Sequence, residues 1–148
     1  MFTSATLDIM DSMVSFLLEP VIIALLALIA LALWETGLAI GERTGGLRRM
    51  IERGDTDSLA ARAQRRIDRA DLIARVGPMM GLMGTLIPLG PGLAALGRGE
   101  LDVLAEAVTV AFNTTVLGLL AGIIGFLLGR MRRRWYDGAM ARLEEASA

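Results

Sequence analysis

The chain has 148 residues, enough for one domain, and 54% of them are apolar. All 15 basic residues are arginine, and there is no cysteine or histidine, so disulfides, thiolate metal sites, thiol nucleophiles and imidazole acid–base chemistry are absent. This speaks against a conventional metalloenzyme or hydrolase, and no cofactor, metal or nucleic-acid partner is expected.

The N-terminus (residues 1–19) lacks the basic n-region of a cleavable signal, carrying Asp8 and Asp11 instead, and no small-residue cleavage site follows its apolar run. Retention of this segment is the expectation. The stretch "LDIMDSMVSFLLE" reads as a short helix lying on the membrane surface. A bilayer core of roughly 30 Å needs about 20 helical residues, and three segments meet that length. The first is "PVIIALLALIALALWETGLAIG", residues 20–41, with Pro20 expected in its first turn. Its one charge, Glu35, lies beside Trp34 near the end, where both side chains are expected to reach lipid headgroups. Residues 42–75 follow, rich in arginine and expected to be mostly helical, with "RTGG" and "RGD" as turns at the membrane edge. The second span covers residues 76–97 and the third residues 104–129. The loop between them, 98–103, is short enough to force an antiparallel pair. The tail, 130–148, is expected to continue the third helix.

Nine of the 15 arginines fall in residues 43–75 and five in 130–142. The positive-inside rule therefore places the N-terminus outside and the arginine-rich segments inside. The expected fold is all-α: a multi-pass protein of the inner (cytoplasmic) membrane with three transmembrane helices, N-out and C-in, and helices 2 and 3 extended into the cytoplasm.

The second span, "GPMMGLMGTLIPLGPGLAAL", spends five glycines and three prolines on a membrane-grade segment. Gly77 and Gly81, Gly118 and Gly122, and Gly125 and Gly129 have the small-xxx-small spacing that lets helix backbones approach closely. Packing explains these glycines, and so many small faces in three spans imply an oligomer. Pro78 is expected in the first turn of its span. Pro88 and Pro91 are expected to kink it, each freeing a carbonyl that must be buried in protein or face water. Thr85 can satisfy its hydroxyl one turn back on its own helix. The third span adds "EAVTVAFNTT", which puts Glu106, Thr109 and Asn113 at i, i+3 and i+7, with Thr114 and Thr115 following. The Asn113 amide cannot be satisfied locally. This stripe suggests a hydrated path, or a seat for a polar group on another chain. No ionisable residue lies mid-span, so a titrating group for proton transfer would have to come from elsewhere.

"GPMMGLMGTLIPL" resembles the second-span motif of the MotA/TolQ/ExbB proton-channel family, and "TVLGLLAGI" resembles its third-span motif. Thr85 and Thr115 match the two motif threonines; Gly81, Gly84 and Gly118 match the glycines. The acidic residue that the family often carries five positions before the third-span threonine corresponds to Val110 here, with Glu106 one turn further out. The resemblance implies a homopentameric ring around single-span helices of an ExbD-, TolR- or MotB-like partner that supplies a membrane aspartate. Thr85 and Thr115 would face that carboxylate, and the transported species would be a proton. Two other readings stand beside this one: a non-conducting oligomeric scaffold held by its glycine faces, and the membrane subunit of a transporter.

Overall fold

A backbone in lipid must satisfy its own N–H and C=O groups, so long apolar runs fold as uninterrupted helices. The computed structural model, described here for residues 2–41 and 56–147, consists of three: α1 (Phe2–Gly41), α2 (Thr56–Gly97) and α3 (Leu101–Ser147). Each contains a segment long and apolar enough to cross a membrane: Ser12–Gly41, Ala63–Gly97 and Leu101–Gly138. The "RTGG" and "RGD" turns fall outside the described residues.

Three sequence expectations are corrected by these bounds. The N-terminal stretch is no separate surface helix, because α1 runs unbroken from Phe2. Pro20 consequently lies inside α1, and Pro78 lies well inside α2, neither in a first turn. The physical reason is the same in both cases. The apolar segment is only part of a longer helix, and a proline in the interior costs one backbone hydrogen bond without ending it. Pro88 and Pro91 also sit within continuous α2, the first buried and the second exposed.

Helices α2 and α3 are joined by a turn at residues 98–100, shorter than the expected 98–103. Gly99 takes a left-handed conformation (φ 81°), open to glycine at little cost. The turn is closed by Arg98 N–H and Glu100 N–H, both donating to the Ala95 carbonyl at 3.0 Å. Arg98 also clasps Glu100 through two side-chain hydrogen bonds of 3.0 Å. That hydrogen bonding holds the Glu100 carboxyl below its ordinary value and raises the Arg98 guanidinium. Both groups are fully exposed, so the pair adds little to stability.

The chain divides into two compact units. One comprises Met1–Ile29 with Val76–Leu120, the other Ala30–Arg75 with Ala121–Ala148. In both, alanines such as Ala95, Ala111, Ala70 and Ala121 are buried beside a few large residues, Leu25 and Ile87 in the first and Ile73 and Leu128 in the second, whereas Ile23, Leu33, Leu86 and Phe112 are exposed. Lipid tails are as apolar as leucine, so helices here gain nothing by hiding large side chains and associate through close backbone packing.

In the first unit that packing is tightest at Gly118. A Cβ there would lie 2.6 Å from the Gly77 carbonyl oxygen and 2.6 Å from the Gly81 Cα. A Cβ on Gly84 would stand 2.7 Å from the Thr114 Cβ, and one on Gly92 2.7 Å from that of Ala107. Rising numbers on α2 meet falling numbers on α3, so the two segments are antiparallel. Gly77, Gly81, Gly84, Gly118 and Gly122 are all buried. In the second unit Gly125 is the counterpart, where a Cβ would come within 2.8 Å of the Ala70 carbonyl oxygen.

Gly118→Ala must push two backbones apart and should cost about 1–3 kcal/mol. Gly37→Ala, where no atom lies within 4 Å, should be neutral or stabilise by up to about 1 kcal/mol. Thermal melting in detergent, followed by circular dichroism, separates the two; equal midpoints would contradict the close-packing account.

Candidate functional site: a threonine pair and a buried ion pair

The close approach of α2 and α3 in the first unit brings together two hydroxyls 30 residues apart in the chain. The hydroxyls of Thr85 and Thr115 are in direct hydrogen-bonding contact. Thr85 Oγ1 is also 2.9 Å from the Gly81 carbonyl oxygen, and Thr115 Oγ1 is 2.9 Å from that of Ala111. Both residues are half-buried.

Two hydroxyls own two protons. If both were donated to backbone carbonyls, the contact between them would set lone pair against lone pair. One must therefore donate to the other. Either Thr85 donates to Thr115, which donates to Ala111, or Thr115 donates to Thr85, which donates to Gly81 or, at 3.4 Å, to Ala111. The two arrangements differ only by rotation of two hydroxyl hydrogens. In each, the pair keeps spare acceptor capacity. Pro88, one turn along, has no N–H to offer the Gly84 carbonyl, which adds a further acceptor in that turn.

The other predicted residues separate from this pair. Thr114 is 5% exposed, packs on Gly84 and shares its one hydroxyl proton between the Val110 and Ala111 carbonyls at 2.9 and 3.0 Å. Its place is in the helix contact. Thr109 is exposed and donates to the Ala105 carbonyl at 2.8 Å. Glu106 and Asn113 are exposed, without a hydrogen-bond partner among the described residues of the chain. A helix turns about 100° per residue, so Thr115, nine residues from Glu106, points about half a turn away. Within one chain, then, Glu106, Thr109 and Asn113 share a face that does not continue into Thr115. The Asn113 amide, on an apolar segment, has no hydrogen-bond partner among the described residues, and its donors and acceptor remain to be satisfied.

The second unit corrects the expectation for Glu35. Its side chain does not reach toward headgroups: it is 0% exposed, while neighbouring Trp34 is 68% exposed. Adjacent helical residues point about 100° apart and cannot share one environment. The cause of burial is Arg132, also 0% exposed, whose Nη1 lies 2.7 Å from Glu35 Oε2. The same guanidinium donates to the Glu35 backbone carbonyl at 3.2 Å and to the Arg66 carbonyl at 3.1 Å. It therefore ties α3 to both α1 and α2. Exposed Arg69 stands 3.6 Å from Glu35 Oε1 as an outer counter-charge. Nearby, Arg133 pairs with Asp71 at the surface. The sequence does carry a signal for this cluster, a lone charge inside an apolar run, but "RMRRR" offers four equivalent arginines as its partner.

The sequence profile of the MotA/TolQ/ExbB proton channel family matches residues 32–145. A curated relative, the biopolymer transport protein exbB1 of Vibrio cholerae, is 38% identical over 77 residues, which is 49% of this chain and 34% of that protein. The chain thus aligns with about a third of the relative's length. No solved structure matches.

Breaking a buried ion pair strands a charge, which typically costs about 3–5 kcal/mol. Glu35→Gln or Arg132→Met should lower stability by that amount, whereas Arg133→Gln at the exposed pair should stay within about 1 kcal/mol. The double variant Glu35→Leu/Arg132→Met should recover most of the loss, because both charges leave together. Denaturation in mixed micelles provides the comparison. A Glu35→Gln protein as stable as wild type would contradict the role of the pair.

Proposed function

This chain belongs to the MotA/TolQ/ExbB proton channel family, and from that premise we propose that it is the proton-channel and motor subunit of an energy-transducing complex of the inner membrane. The observation that carries the reading is the half-buried Thr85–Thr115 pair on apolar helices. In this reading the protein is threaded N-out and C-in, with α2 and α3 continuing into the cytoplasm. Five copies form a ring around single-span helices of an ExbD-, TolR- or MotB-like partner carrying a membrane aspartate.

The chemistry of the pair suits that aspartate in both of its protonation states. A neutral carboxylic acid has a proton to donate, and the threonine pair has spare lone pairs to receive it. When the acid loses its proton to water on the inner side, the carboxylate needs a donor. Rotation of one hydroxyl hydrogen away from Gly81 or Ala111 supplies it, and the abandoned carbonyl keeps its helical N–H. The pair thus lowers the cost of holding either form away from bulk water. Cycling between the two forms changes which contacts the ring makes with its centre, and this couples proton flow to movement or energised transport. Exposed Asn113 and Glu106 supply polar contacts on another face, to a neighbouring subunit or to water near the outer end.

The test is proton flux in proteoliposomes reconstituted with the complex purified together with its natural partner. Thr115→Val and Thr85→Val should each lower flux by about ten- to a hundredfold, the range for losing a hydrogen bond to a charged group. Thr115→Ser should retain flux, and oligomer size should be unchanged in all three. Unaltered flux in the valine variants would defeat the proposal and favour the non-conducting scaffold.

A further inference from the structure

The second unit contains a groove of about 580 Å³ between α1 and α3, lined by Leu33, Thr36, Ile40, Leu127, Met131 and Trp135 among others. It is the size of a small-molecule site, yet it offers almost nothing polar. Its hydroxyl, that of Thr36, already donates to the Ala32 carbonyl at 2.7 Å. An occupant must therefore be long, apolar and free of hydrogen-bonding demands along its buried length.

Charge at one end narrows the choice. Four arginines lie between residues 130 and 134. Arg132 faces Glu35 and Arg133 faces Asp71, so two are neutralised within the chain. Arg130 and Arg134 are exposed and have no carboxylate partner among the described residues. Each lies three residues beyond a groove residue, Leu127 and Met131 respectively, and so stands on the adjoining edge of α3. Trp135, at the same end, is the type of side chain that sits at headgroup level.

We propose that this groove is a site for an anionic phospholipid, with an acyl chain lying against Thr36, Leu127 and Met131 and the phosphate held by Arg130 and Arg134. A second copy of the chain fits the site less well. Copies threaded the same way through a bilayer bring their arginine ends to the same side, and would add cations where two already lack partners. An anionic lipid neutralises them, as basic residues at a membrane surface do generally. The proposal depends on the spans crossing a bilayer and not on proton conduction, so lipid binding and flux can fail separately.

The test is native mass spectrometry of the detergent-purified protein, titrated with phosphatidylglycerol and with phosphatidylcholine of identical acyl chains. Phosphatidylglycerol should bind more tightly. Arg130→Gln/Arg134→Gln should weaken it by roughly twenty-five-fold, about fivefold per arginine, and leave phosphatidylcholine unchanged. Thr36→Trp, which fills the groove, should weaken both lipids. The arginine positions are exposed, so that variant should melt like wild type and remain informative if Thr36→Trp folds poorly. Equal binding of the two lipids by wild type, or a preference that survives in the arginine variant, would overturn the proposal. So would dispersal of the oligomer by Thr36→Trp with lipid retention intact, which would assign the groove to a second copy.

Discussion

In a solvent that neither rewards burial of leucine nor hydrates a peptide group, helices hold together by how closely their backbones approach. At Gly118 that approach leaves no room for a methyl group, and a Cβ on the facing Gly81 would already crowd the Gly118 Cα at 3.1 Å. Everything at the threonine pair follows from it. Thr85 and Thr115 have short side chains, and their hydroxyls meet only because the backbones carrying them are separated by glycine. A bulkier contact would leave each hydroxyl to its own helix carbonyl, as Thr109 and Thr36 are left. The glycines are thus part of the polar chemistry and not merely its scaffold.

The two units solve the problem of polar groups in an apolar setting differently. In the first, neutral hydroxyls satisfy one another and keep acceptor capacity in reserve, which leaves them able to answer a group from another chain. In the second, a carboxylate and a guanidinium are withdrawn from solvent completely, and the guanidinium donates to two backbone carbonyls as well. Glu35 is held there by charge contacts to Arg132 and Arg69, its two carboxylate oxygens accepting no hydrogen bond. The strength of the pair lies in selecting one arrangement of three helices, since a one-turn slip would strand both charges. Switchable hydroxyl bonds suit a site that must respond to a proton, and a desolvated charge pair suits an anchor.

The all-helical architecture, the antiparallel pair and the glycine contacts were legible because each rests on composition and spacing within one segment. The bond between Thr85 and Thr115 is not legible in the sequence, since local pattern lets each satisfy itself and the motif resemblance implies only that both face a carboxylate on another chain. What escaped were relations between segments. Glu35 looked like a headgroup-facing residue because nothing nearby in sequence pairs with it; its partner is 97 residues away, among four arginines. The run Glu106, Thr109, Asn113 lies on one exposed face of α3. Thr115 lies close to it in sequence but about half a turn away in direction, so the face does not extend to it. Pro20 and Pro78 read as first-turn prolines in the sequence because hydropathy marks the apolar segment and not the ends of the helix containing it.

The central claim is that the Thr85 and Thr115 hydroxyls serve a carboxyl group belonging to a different polypeptide. Electron cryo-microscopy of the assembly isolated from its own membrane reads this directly, at a resolution that shows side chains. The account predicts a carboxyl oxygen of a second protein within hydrogen-bonding distance of Thr85 or Thr115, at the centre of a ring. A ring whose threonines face acyl chains, or a centre holding no second polypeptide, would contradict it.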